Sequence, residues 1–133
     1  MHKKMKKIVV AILALSFSAC QSVSEEALKK VDEALLQGHD EVMPKSMKLA
    51  ELKEEMLKKV DSSQVDQVQK AQDIARRLDQ AEAAMYQWMD TYRVIQDEVK
   101  DPAEKLKRLG AMKSTIDSIA VITDQAMTDA KNF

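Results

Sequence analysis

The chain has few residues with chemistry to offer. It holds one cysteine, Cys20, and beyond residue 2 a single histidine, His39. His39, Met43 and Met47 recur at i, i+4 and i+8, which places them on roughly one face of a helix. Thioether sulfur together with neutral imidazole suits Cu(I), or Ag(I) as its mimic. An axial His–Met pair also suits haem. Counting back from turns expected near 61–62 and 100–101 sets His39 level with Ala84, beside Met85, and sets Met89 level with Met112. The candidate soft-metal or haem site is therefore His39, Met43, Met85, Met89 and Met112, with the Trp88 indole in reach to cap a soft cation through its face. The plainer reading of the same residues is core packing. Methionine is a common gap-filler between helices, and His39 can satisfy itself on Asp40, on a carbonyl freed by Pro44, or on water.

No nucleophile elbow, Gly-rich turn, phosphate loop, Glu-x-x-His pair or Cys-x-x-Cys-His run accompanies His39. The chain therefore reads as non-enzymatic. Tyr86, Trp88 and Tyr92 cluster in one stretch and are candidate contacts for a protein partner, since a Trp that leaves a core stripe is a ready anchor. Trp is equally an ordinary core residue. Arg76-Arg77 and Lys105-Lys107-Arg108 are short basic patches among acids, and Glu54/Glu55 with Lys58/Lys59 are i, i+4 pairs; both read as solvated surface.

The thiol has a different chemistry. Residues 1–20 read MHKKMKKIVVAILALSFSAC. Lys3, Lys4, Lys6 and Lys7 form a positive opening, residues 8–17 are almost wholly apolar, and small Ser18 and Ala19 precede Cys20. That is the layout of a secretory signal peptide. The apolar run is about half the ~20 residues a membrane-spanning helix needs. Ser16-Phe17-Ser18-Ala19-Cys20 resembles the lipobox of bacterial lipoproteins, with Phe17 where Leu is usual. The resemblance implies that residues 1–19 are removed and that Cys20 becomes an acylated N-terminus, with palmitate-type chains on a bacterial cell envelope, most naturally the outer membrane. Two or more acyl chains hold a protein stably on a bilayer, at ~0.8 kcal/mol per buried CH₂. Without acylation, Cys20 would be a lone thiol in an oxidising compartment.

Removing residues 1–19 takes away four of the 21 Lys+Arg and none of the 22 Asp+Glu, leaving a net charge of −5. A mildly acidic surface does not suit nucleic acid, which rewards clustered Lys and Arg. About 114 remaining residues make one domain. Gly38, Gly110, Pro44 and Pro102 are its only helix breakers, and Ala, Leu, Lys, Glu, Gln and Met dominate. With one cysteine, disulfides cannot stabilise it.

The elements that must position these residues are helices. After a short tether, 20–24, Ser22 with Glu25, or Ser24 alone, can cap a first helix. Leu28, Leu35, Val42, Leu49 and Met56 then recur every seven residues, with Val31 and Leu52 in the same register. The repeat survives Pro44, so one helix over about 25–60, kinked near Pro44, is predicted. Asp61-Ser62-Ser63 is a turn with a ready cap. A second helix over about 63–100 carries Val68, Ala71, Ala75, Leu78, Met85, Met89, Tyr92 and Val99 at 3–4 spacing. Asp101-Pro102-Ala103-Glu104 is a strong helix start, and Leu106, Leu109, Met112, Ile116, Ile119, Thr123, Ala126 and Met127 continue a third helix over about 102–131. No alternating strand pattern appears. The expectation is all-α: an up-down-up antiparallel three-helix bundle over 25–131, its first two helices each about 37 residues and ~55 Å long.

His39-Asp40-Glu41-Val42-Met43-Pro44-Lys45 and Ala81-Glu82-Ala83-Ala84-Met85-Tyr86-Gln87-Trp88-Met89 resemble two signatures of a group of small helical lipoproteins of Bacteroidetes-type bacteria, whose members are often labelled hypothetical or "viral A-type inclusion protein". The resemblance implies a helical fold and an envelope location, and it carries no activity. Together these readings give a lipid-anchored structural or protein-interaction module, with its partners being the membrane and another protein or itself. The alternative is a Cu(I), Ag(I) or haem binder.

Overall fold

The computed structural model describes residues 22–133. The leader 1–19 and Cys20 lie outside the described residues. Four α-helical segments follow one another: α1 (Glu25–Ser46), α2 (Leu49–Leu57), α3 (Val65–Glu98) and α4 (Pro102–Lys131). Among the described residues there is no strand. The chain is an all-helical bundle.

The helix starts follow from side-chain caps. Ser24 Oγ accepts the Ala27 N–H at 3.1 Å and begins α1. An Asp101 carboxylate oxygen accepts the Glu104 N–H at 2.8 Å, with Pro102 in the first turn where its missing N–H costs nothing. Between α2 and α3 the work falls to Asp61 rather than to a serine cap. Its Oδ1 accepts both the Ser63 N–H, at 2.9 Å, and the Ser63 hydroxyl, at 2.7 Å, while Oδ2 accepts from Gln64. These bonds, with the Ser63 hydroxyl foremost, hold the Asp61 carboxyl below its ordinary range.

The single helix expected over 25–60 is corrected to two segments. Pro44 sits inside α1, and the α-helical pattern lapses three residues later, at Met47 and Lys48. There the Lys48 N–H reaches back only to the Lys45 carbonyl, a tightened last turn, before the Leu52 N–H resumes on Lys48. The seven-residue stripe crosses the lapse unbroken: Leu35, Val42, Leu49 and Met56 are all 1% exposed or less.

The other two stripes are as regular. Ala71, Ile74, Leu78, Ala81, Met85, Trp88 and Ile95 are buried along α3, and Leu109, Met112, Ile116, Ile119, Thr123, Ala126 and Ala130 along α4. Paired positions run in opposite order along α3 and α4, where Arg77 meets Asp129 and Trp88 meets Met112. They run in the same order along α1 and α4, where Gly38 faces Ile116 and Lys45 meets Asp124.

Gly38 does more than interrupt a helix. A Cβ there would lie 3.0 Å from Ile116 Cγ2 and 3.1 Å from Cγ1, whereas one on Gly110 would meet nothing within 4 Å. Glycine at 38 lets α1 approach α4 closely, while Gly110 carries only its helix-propensity penalty of ~1 kcal/mol. Gly110→Ala should therefore raise the melting temperature by a few degrees, and Gly38→Ala should lower it despite the same propensity gain. Equal increases in the two variants would show that Ile116 gives way freely and that the close approach constrains nothing.

Candidate functional site

The region around Trp88 brings together more of the candidate residues than any other. The seven-residue register of α3 turns Trp88 inward, leaving it 3% exposed. Its Nε1–H donates to the Met112 carbonyl on α4 at 3.1 Å. Its ring lies parallel to Tyr92 one turn along α3, with centroids 5.6 Å apart and planes 9° apart. On the α1 side it stacks on His39, at 6.3 Å and 29°. Three aromatic rings thus form one ladder between α1 and α3.

The ladder is tied off at both ends. The Tyr92 hydroxyl donates to Asp32 on α1, and Gln96 Nε2 donates to the same Asp32 oxygen at 2.6 Å and to the Tyr92 oxygen at 3.0 Å. Partial burial, and then the Asp32 carboxylate, push the Tyr92 phenol above its ordinary range, because both oppose phenolate. At the other end His39 Nδ1 lies 3.1 Å from Asp40 Oδ1, and the imidazole is partly exposed.

The methionines divide. Met85 and Met112 are buried core residues of this half of the bundle, and Met43 and Met89 pack against the same cluster from its edges. Met47, on the same sequence spacing as His39 and Met43, is 70% exposed in the lapse between α1 and α2 and is not part of the group. Turn-counting put His39 level with Ala84; the ring meets Trp88 instead, one turn further along α3.

The candidate partner contacts need correction. Trp88 is floor, not surface, because its register position is the same as that of Ala81 and Ile95. Tyr92 is half-buried and hydrogen-bonded to α1, and of the three only Tyr86, at 51%, is exposed. The surface feature that the sequence reading missed lies on the far side of Trp88. A cleft of about 340 Å³ opens between α3 and α4, floored by Trp88, Met112 and Ile119 and walled by Ala84, Thr91 and Thr115. A second, of about 310 Å³, is lined by Arg77, Gln80, Val121, Ile122 and Gln125. Its signal was present in sequence: the flanking positions 84, 91, 115 and 122 are uncharged in a chain that is 32% charged.

Among the described residues no three His, Cys, Asp or Glu side chains converge to hold a metal ion, and no helix is long and apolar enough to cross a membrane. No family model, curated protein or solved structure matches this chain.

The raised Tyr92 value fixes the sign of an alkaline effect. A phenol harder to ionise when folded contributes stability that is complete below its unfolded value, near 10.0, and is lost as pH rises through the folded one. Melting temperatures measured from pH 8 to 11.5 should fall more steeply for wild type than for Tyr92→Phe. Parallel curves would remove the Tyr92–Asp32 tie from the fold's pH dependence.

Proposed function

We propose that the chain is a non-enzymatic, lipid-anchored helical module of the bacterial cell envelope, akin to the small helical lipoproteins it resembles, and that it works by contact with a protein partner. In its finer form the architecture is an up-down-up bundle, α1 and α2 making the first arm, bent in the neighbourhood of Pro44. The opposite pairing order of α3 and α4 and the shared order of α1 and α4 support that topology. The bend is supported by the tightened turn three residues beyond Pro44, where a helix that has lost one backbone bond yields most easily.

The observation that carries the interaction reading is the cleft over Trp88 between α3 and α4, whose lining is uncharged, with Val121 69% and Ile122 45% exposed in a second cleft that Arg77 also lines. The remaining surface is laced with ion pairs, such as Arg76 with Asp73 and Lys113 with Asp117. Exposed aliphatic side chains grouped beside an open cleft mark an interaction site more than scattered ones do. The anchoring reading rests on Cys20 and the leader. Acylation needs the thiol, so Cys20→Ser should leave the protein unprocessed or release it from the membrane fraction. A variant that fractionates and migrates like wild type would end the lipoprotein reading.

One observation favours a second reading, soft-metal binding. Asp40 engages His39 Nδ1, leaving Nε2 as the ring's remaining ligand atom, an arrangement in which a carboxylate orients an imidazole for a metal. His39 with Met43, Met85, Met89 and Met112 would then hold Cu(I) or Ag(I), or a His–Met pair would hold haem. Ligand at 100 times Kd stabilises the native state by about 2.7 kcal/mol. A soluble chain from Ser22 onward should therefore melt higher in Ag(I), with a change in Trp88 fluorescence, and His39→Ala with Met85→Leu should abolish both. No thermal shift at large Ag(I) excess would reduce the cluster to core packing.

A further inference from the structure

Helices packed along a shared stripe commonly flank it with charged residues, which pair across the seam. This bundle does so at several edges. Lys45 meets Asp124 between α1 and α4 at 2.8 Å, and Lys53 meets Asp79 between α2 and α3 at 2.6 Å. Arg77 meets Asp129 between α3 and α4 at 2.5 Å, which holds the Asp129 carboxyl below its ordinary range. Seven residues inward from that last pair the pattern stops. The positions equivalent to Arg77 along α3 are Ala84 and Thr91, and those equivalent to Asp129 along α4 are Ile122 and Thr115.

The next row outward is uncharged as well. It holds Gln80, Gln87 and Val94 on α3, and Ala111, Ser118 and Gln125 on α4. Charge returns one step further on, at Glu98 and Arg108, the latter paired with Glu104. The two uncharged strips lie level, because Arg77 at the end of one row meets Asp129 at the matching end of the other. Each strip alternates spacings of four and three residues, the pattern of a packing seam, yet it faces outward.

We propose that this groove seats one helix of a partner protein, about four turns long, which turns an uncharged seam of large aliphatic side chains toward α3 and α4 and completes a four-helix bundle. The inference rests on the interaction-module reading and specifies its partner. Uncharged walls would leave any charge on the partner's buried seam unpaired, which selects against one. Small walls, Ala84, Thr91 and Thr115, over a cleft of about 340 Å³, call for large side chains to fill it. A second copy set cleft against cleft would bring small walls to small walls and leave the cleft open, with its exposed Val121 and Ile122 lying outside it. The face is also short. At roughly 22 Å by 20 Å it offers on the order of 450 Å² per side, about half of the ~800 Å² a stable dimer buries.

The test uses the full chain in its native membrane, with a photo-crosslinking amino acid at Gln87, Ser118 or Ile122 in the groove, or at exposed Gln37, Glu55 or Gln69 elsewhere. Groove positions should give one discrete heterologous adduct at least tenfold above the other positions. The joined peptide should come from an amphipathic helix with Leu or Ile at the crosslinked spacing. Thr115→Glu with Gln87→Glu, both exposed, should abolish the Ser118 adduct without changing the melting temperature. An adduct between two copies of the chain would overturn the heterologous helix and replace it with self-association. Equal adducts from all six positions, or adducts unaffected by Thr115→Glu with Gln87→Glu, would overturn the groove and leave the interaction-module reading standing. No adduct from any position would overturn both.

Discussion

The fold depends on burying one narrow stripe per helix, seven residues to the repeat, at a common level. With one cysteine the chain cannot form an intramolecular disulfide, and few aromatics are available to enlarge the core. Each fully buried Leu, Ile or Met contributes roughly 1.5–3 kcal/mol. The stripes must therefore stay in register over the whole length, because a helix rotated or slipped by one position withdraws its entire contribution. Two residues fix the level where α1, α3 and α4 meet. Gly38 admits Ile116 against the α1 backbone, and Trp88 bonds the Met112 carbonyl. One is a matter of missing bulk and the other of a single directional bond worth ~1 kcal/mol, yet together they select one alignment among many that the repeat alone would tolerate.

Much of that alignment was legible in the sequence, and the parts that were not share a cause. Leu35, Val42, Leu49, Met56, Leu78, Met85, Leu109 and Ile116 could be placed in the core from spacing alone, and all are buried. Trp88 could not, since a lone Trp is as ordinary at a surface anchor as in a core; its neighbours at the same register, Ala81 and Ile95, settle the matter only once the heptad is followed strictly. The lapse at Met47–Lys48 was read only as a kink near Pro44 in one helix, because the apolar repeat runs through it. Periodicity reports which face is buried and says nothing of whether each backbone bond is made. The groove was missed for the opposite reason. It is defined by charges that are not there, and a search for chemistry-bearing residues passes over Ala84, Thr91 and Thr115.

The same lapse marks a seam in the core. The buried residues separate into a cluster around Leu35, Trp88 and Ile116 and another around Leu49, Leu78 and Ala126. Ser46 and Thr123 carry buried hydroxyls without a hydrogen-bond partner in the protein. An unsatisfied buried polar group costs about 1–3 kcal/mol. Ser46 ends α1 just where the helix tightens, so one of the two unpartnered hydroxyls lies at the lapse in the first arm. The cluster around Trp88 holds both the aromatic ladder and the cleft floor, whereas Leu49 and Met56 of α2 enter the other cluster.

The contact that the groove allows is small. A few hundred Å² of apolar burial, set against the several kcal/mol lost on association, gives weak binding in free solution. A rigid floor lowers the cost, because Trp88 is already fixed by its carbonyl bond and its stacking partners and loses no freedom when covered. Membrane anchoring would lower it again. An anchor at Cys20 would precede by five residues Glu25, which begins α1 at the end of the bundle nearest Asp32 and Tyr92, and a partner confined to the same membrane would meet the groove at a high effective concentration. A small, uncharged, preformed groove is a poor site for a protein diffusing in bulk and an adequate one for two proteins held on one surface, where specificity is supplied by the shape of the seam and affinity by confinement.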